Sequence, residues 1–197
     1  GGHGSQPELC RDPVLAASAI NLALQQIVAR RFAPQDAVVV SPTSIDGASA
    51  PTVIRDTATL SGSIRIPDMS VRDELNGMIT EVATQTAAAY GVRAEVRHIP
   101  RYGPTVNHPE AADTLRAALA QELGPAWHSE RTGLPIMASE DFSYYLQAVP
   151  GAFALIGAGD GEAFREPCHS PRYRFNDALL PRVVRLYARL AGAPLPA

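Results

Sequence analysis

Along residues 12–31, DPVLAASAINLALQQIVARR, the apolar positions Ala16, Ile20, Ala23, Leu24 and Ile27 recur at spacings of three and four, so a helix over this stretch turns one stripe toward a core. Asp12 stands where a side chain caps free amides, Pro13 where a helix needs no N–H, and Arg30 and Arg31 at the negative end. The period then drops to two. AVVVSPTSI (37–45) predicts a β-branched strand. In TATLSGSIRI (57–66), Ala58, Leu60, Gly62, Ile64 and Ile66 alternate with Thr57, Thr59, Ser61, Ser63 and Arg65, as in a half-buried strand with one polar face. Ser70 with Asp73 has the form of a capping box before a second helix through Tyr90, which Leu75, Ile79 and Val82 bury and Gly91 ends. VRAEVRHI (92–99) alternates again. The order helix, strand, strand, helix, strand is that of a split βαβ, ferredoxin-like module without its first strand. The chain is therefore expected to start inside a domain.

PRYGPTVNHPE (100–110), rich in Pro and Gly, reads as a boundary. From Asn107 a helix is predicted through about Leu123, with Leu115, Ala118 and Leu119 on one side. A weak strand is expected near Trp127, then a short helix EDFSYYLQA capped by Ser139, with Glu140 and Asp141 at its positive end. AFALIG (152–157) is continuously apolar, as in a strand covered on both faces. A last helix spans roughly 177–191, with Pro181 in its first turn. One firm strand and one weak one do not complete a sheet, so this half reads as the tail of a larger α/β domain.

Composition narrows the function classes. The 197 residues are 46% hydrophobic and 19% charged, with a formal net charge of -3 and no basic run, which excludes a disordered chain and argues against nucleic acid or an anionic membrane as partner. No apolar stretch is long enough for a membrane helix, and GGHGSQPELC lacks the regions of a signal peptide. The expected compartment is cytoplasmic, where Cys10 and Cys168 stay reduced. All 17 basic residues are Arg, which excludes chemistry on a lysine amine.

The candidate chemistry sits in loops. His169, in EPCHSPRYRFND, follows the apolar run and precedes the last helix, where open α/β sheets place functional groups. Imidazole suits zinc or manganese; an ordinary loop histidine is the alternative. Cys168 beside it reads as ligand, nucleophile or small packed side chain. His3, between glycines in GGHGSQP, is placed to donate to a developing oxyanion, or else belongs to a flexible terminus. Arg65, on the polar side of its strand, suits a substrate carboxylate or a surface ion pair. Glu140 and Asp141 are read as helix-start residues rather than a carboxylate pair, GAGDG (157–161) as a turn, and His98, His108 and His128 as structural or solvated.

GGHGSQP with DPV after it, VIRDTATLSGSIR, PTVNHP, MASEDFSYYL, PGAFALIGAGDG and CHSPRYRFND follow one another over nearly the whole chain. Together they resemble the C-terminal part of the dinuclear metal amidohydrolases that include hippurate hydrolase, N-acyl amino acid amidohydrolase and the auxin-conjugate hydrolases. The resemblance implies a ferredoxin-like lid or dimerisation domain over 1–103, truncated at its start, and over 104–197 the last segment of a zinc-peptidase-like catalytic α/β domain. It implies hydrolysis of N-acyl or N-aroyl amino acids by metal-activated water, with two divalent ions, zinc or manganese, in the full-length parent and none in this fragment. By it, His169 is the last ligand of the metal pair and His3 the lid histidine that stabilises the oxyanion in a partner subunit, which implies a homodimer. Arg65 and Ser139 fall around the substrate carboxylate, Thr52 beside the substrate, and Asn107 near the cleft. Thr52, Val53, Ile54 and Arg55 stand where the family usually reads Asn-Val-Ile-Pro, which bears on substrate choice. The remaining ligands and the general base belong upstream of residue 1, so the chain alone is expected to be inactive. Two other readings compete: a noncatalytic homodimerisation module, and a regulatory ferredoxin-like domain binding a small molecule without metal.

Overall fold

The computed structural model describes residues 1–125, 127–129, 133–159 and 161–195. They form two compact units, Gly1–Pro104 with Pro135–Ser139, and Thr105–Leu134 with Glu140–Ala197. The described residues form short strands, five α-helices and turns of 3-10 helix, and among them no helix is long and apolar enough to cross a membrane.

In the first unit, β1 (Gly2–His3) pairs antiparallel with β3 (Val53–Ile54), and β2 (Val39–Asp46) pairs antiparallel with β4 (Thr59–Arg65). The β2–β4 register runs from Val39 opposite Arg65 to Asp46 opposite Thr59, with an irregularity between Pro42 and Ser44. A proline, which has no ladder donor, is tolerated at such a place. Helix α1 (Pro13–Arg31) starts as its sequence requires: Asp12 Oδ1 accepts from Val14 N at 2.9 Å and Leu15 N at 3.0 Å. Its buried Ile20, Leu24 and Ile27 meet Val38 and, from α2 (Arg72–Ala89), Leu75, Ala83 and Ala87. Ile79 and Val82 lie at the margin of this core, as do Leu60, Ile64 and Ile66, the apolar side of the alternating segment. Gly91 at φ +69 ends the helical turn, a conformation in which a Cβ is strained.

Two expectations fail here. The Ser70–Asp73 capping box does not form: Asp68 accepts the Ser70 N–H at 2.6 Å, a turn of 3-10 helix at Met69–Val71 intervenes, and α2 begins at Arg72 with no side-chain cap. That backbone bond holds the Asp68 carboxyl below its ordinary range. Nor is 92–99 a strand. Val92, Ala94 and Val96 still pack on the core, but no neighbouring strand of the described residues completes a ladder beside them. Burial needs only an apolar neighbour; a strand needs a partner backbone.

The second unit contains α3 (Pro109–Leu123), α4 (Phe142–Ala148) and α5 (Leu180–Leu190), with Pro181 in the first turn of α5. Ala118, Leu119 and Leu186 form its small core, with Leu115, Leu123 and Trp127 around them. Trp127 lies in irregular backbone rather than a strand, and its neighbour Ala126 lies outside the described residues, as does Asp160 within the GAGDG turn. Asp141, not Ser139, is the N-cap residue of α4, and no side chain caps this helix. The 152–157 run is not a strand and is only partly covered: Ala152 and Phe153 are half-buried, whereas Leu155 and Ile156 are 56% and 36% exposed. No strand of this unit's described residues offers it a ladder.

An ion-pair cluster ties α3 to α5. The Glu122 carboxylate, only 5% exposed, accepts from Arg189 Nε at 2.8 Å and Arg185 Nε at 3.1 Å. The Arg189 hydrogen bond first, opposed by desolvation and helped by Arg185, lowers the Glu122 pKa from its ordinary 4.5. A carboxyl lowered in the folded state stabilises the fold fully above its unfolded pKa, and that stability disappears as pH falls through the folded value. Wild-type chain is therefore expected to exceed Glu122→Gln in thermal midpoint at neutral pH, with the gap closing as pH falls below 4.5; a gap independent of pH would refute this role.

Candidate functional site

In the first unit the His3 loop is closely held. Its backbone pairs with Val53, Gly4 N donates to Thr52 O at 2.7 Å, and Gln6 N donates to His3 O at 2.9 Å. On the ring, Nδ1 lies 3.2 Å from Ser5 N and 2.7 Å from Ser5 Oγ. A Cβ on Gly2 would lie 2.7 Å from Cys10 Sγ, so only glycine lets the chain run this close to the turn after it. The fold thus sets His3 opposite Val53, one residue from Thr52, although some fifty residues separate them in sequence. Arg55, next to this ribbon, donates to Ala48 O at 2.8 Å and lies 3.8 Å from Asp46, pinning the loop that precedes Thr52. Arg65 ends β4 opposite Val39 and gives Nη1 to Ile64 O at 2.9 Å. Among the described residues no carboxylate forms an ion pair with Arg65. Ser139 is half-buried in the Pro135–Ser139 segment of this unit.

In the second unit His169 is exposed on the turn closed by Ser170 N donating to Pro167 O at 3.1 Å. Its φ is 70°, and it is the only non-glycine residue among those described with positive φ. A β-turn with this third residue asks for glycine or asparagine, so a histidine here carries strain that local propensity would remove. The turn is nevertheless well supported. Glu166 Oε2 accepts from Ser170 Oγ at 3.2 Å and Arg172 Nη2 at 3.3 Å, and Arg172 N donates to Ser170 Oγ at 3.2 Å. Downstream, buried Asn176 donates to Ala158 O at 3.3 Å and accepts from Ala178 N at 3.2 Å. Loss of hydration, with the Cys168 thiol adding to it, pushes the Tyr173 phenol above its usual range.

Asn107, though exposed, engages the backbone: its Nδ2 donates to Phe153 O at 2.9 Å and its Oδ1 accepts from Phe153 N at 2.8 Å. One carboxamide thereby takes both groups that a neighbouring strand would have used. Asn107→Ala is expected to lower stability by about 1 kcal/mol, the pair being solvent-exposed, read as a shift in the denaturation midpoint; an unchanged midpoint would discount the staple.

Ser5, Glu166 and Asn176 support these loops and were not singled out from sequence. Ser5 stands two residues from the histidine it holds, which is the one signal that could have pointed to it. Glu166 and Asn176 gave none, since polar residues in a loop are ordinary. Among the described residues no three His, Cys, Asp or Glu side chains gather as a metal site.

The model of "Peptidase family M20/M25/M40" matches residues 8–193. An IAA-amino acid hydrolase ILR1-like 2 from Arabidopsis thaliana is 35% identical over 195 residues, 97% of this chain and 44% of that protein. A hippurate hydrolase from Campylobacter jejuni is 34% identical over 191 residues, 97% of this chain and 49% of that protein. The crystal structure of the Bacillus subtilis YXEP protein, a dinuclear metal binding peptidase, superposes with a TM-score of 0.66 at 24% identity, covering 93% of this chain and 46% of that one, a likeness of fold. The chain spans about half the length of the curated relatives it matches.

Proposed function

The chain belongs to peptidase family M20/M25/M40, and on that premise we propose that it is part of a metal-dependent amidohydrolase acting on N-acyl or N-aroyl amino acids, hippurate-like compounds included. Residues 1–103 are its lid, ferredoxin-like with a first strand contributed from outside these residues, and 104–197 are the end of its catalytic domain. The inward-facing but unpaired Val92, Ala94 and Val96, and the exposed Leu155 and Ile156, support this reading as segments that lack sheet neighbours. The carrying observation is the family match across 8–193, which takes in both halves and leaves neither to an unrelated role.

His169 is the chain's ligand to one of two divalent ions, zinc or manganese. An exposed imidazole held in a strained but braced turn suits that chemistry. The other ligands and the general base lie in the full-length parent outside these residues, and the chain alone neither holds the metal pair nor turns over. When bound, the ions polarise the amide carbonyl and lower the pKa of water at the site. Within this chain, His3 donates a hydrogen bond to the oxyanion, Arg65 binds the substrate carboxylate through donors that no described carboxylate occupies, and Thr52 and Ser139 border the substrate. Asn107 shapes the cleft by holding Phe153. Two lids pair as a homodimer through open sheet edges, so that His3 serves the partner's site. Cys10 and Cys168, both free thiols, suit a cytoplasmic setting.

The test is hydrolysis of hippurate and acetyl amino acids by the full-length parent, with elemental analysis before and after chelation. Activity lost to a chelator and restored by zinc or manganese is expected. A metal-loaded parent inert toward all such amides would overturn the proposal.

A further inference from the structure

We propose that Ser5 is a positioning residue, setting both the tautomer and the direction of the His3 ring. A backbone N–H can only donate, so Ser5 N, 3.2 Å from Nδ1, requires a lone pair there rather than a proton. Ser5 Oγ, 2.7 Å from the same nitrogen, then donates as well. With the single Nδ1 lone pair shared by these two donors, the neutral ring carries its proton on Nε2. The opposite tautomer would set an Nδ1 proton against the Ser5 amide and leave that amide without its acceptor.

The rest of the loop turns this tautomer into a direction. Gly4 N to Thr52 O at 2.7 Å and Gln6 N to His3 O at 2.9 Å fix the backbone on both sides of the ring. With the backbone and Nδ1 held, the imidazole has one donor left, Nε2–H, and among the described residues no group takes it up. A hydrogen-bond donor that must meet negative charge only in the transition state is most effective when aimed beforehand, because no reorientation is then needed during the reaction. Ser5 provides that aim. The inference rests on the reading of His3 as the oxyanion donor, and it adds what makes the ring a donor in that direction.

The experiment has two arms. In the 197-residue chain with nitrogen-15 labelled histidine, long-range proton–nitrogen correlation, assigned with His3→Gln, reports which ring nitrogen of His3 carries the proton. The expected pattern is Nε2 protonated and Nδ1 bare. Ser5→Ala, with its thermal midpoint unchanged, keeps the amide and hence the proton on Nε2 but lets the His3 side-chain torsions average, read from scalar couplings, and Ser5→Thr restores the single orientation. In the full-length parent, Ser5→Ala is expected to lower kcat about tenfold with KM little altered, as for loss of a group that orients a functional histidine. In a His3→Ala background the same substitution should have no further effect. A proton found on Nδ1 in the wild type, or a His3 ring orientation indifferent to Ser5→Ala, overturns the proposal. If His3→Ala cripples turnover while Ser5→Ala changes nothing, Ser5 is refuted and His3 keeps its role. If His3→Ala leaves turnover intact, the oxyanion reading fails, and the spectra still decide the role of Ser5.

Discussion

On the proposed reading, His3→Ala in the full-length parent is expected to lower kcat by about 10²- to 10³-fold, the measured scale for removing one oxyanion donor, with KM little changed. The split follows from where the group acts. The planar amide of the substrate carries little negative charge on oxygen, so a donor aimed at the tetrahedral oxyanion stabilises the transition state far more than the bound ground state. The His3 loop makes few contacts that such a truncation would disturb: the ring is exposed, and β1, the Gly4–Thr52 bond and the Gln6–His3 bond are all main-chain. His3→Gln, which keeps an N–H near the same position, should recover part of the loss. Steady-state kinetics on hippurate decide the matter, and a kcat within threefold of wild type would remove His3 from the chemistry.

His169→Gly should separate stability from function. At φ 70 a histidine occupies backbone that glycine adopts freely, so the substitution is expected to raise the stability of the 197-residue chain by about 1 kcal/mol. In the full-length parent the same change removes the imidazole proposed as a metal ligand, and activity should fall by at least about 100-fold, beyond what losing a supporting group costs, with less than the full metal complement retained. His169→Ala is the control: it loses the ligand but keeps a Cβ and hence the strain, so it should match glycine in inactivity and not in stability. Denaturation midpoints and elemental analysis read the two effects separately. A glycine variant no more stable than the alanine one, or one retaining both ions, would contradict this account.

Ser5 and Asn107 show why the site was only partly legible beforehand. Loop position made both histidines candidates, and only the family resemblance gave them roles. The bond from Ser5 to Nδ1 depends on how a four-residue turn closes, and Asn107 reaches a backbone 46 residues away, a pairing that no local pattern encodes. Ser139 illustrates the converse. Its cap was a sound local inference that failed because α4 starts at Phe142.

What the sequence determined by itself is what local physics controls: α1 between Asp12 and Arg31, the Gly91 stop, Pro181 in the first turn of α5, and the alternation that buries Leu60, Ile64 and Ile66. Caps, turns and periodicity act within a few residues, so they can be read along a line. The tertiary structure alone decided that 92–99 and 152–157 are not strands here, that Phe153 bonds to Asn107, and that His169 is held at positive φ. Apolar burial is non-directional and accepts any neighbour, whereas backbone hydrogen bonds and strained dihedrals depend on which distant atoms the fold brings within 3 Å.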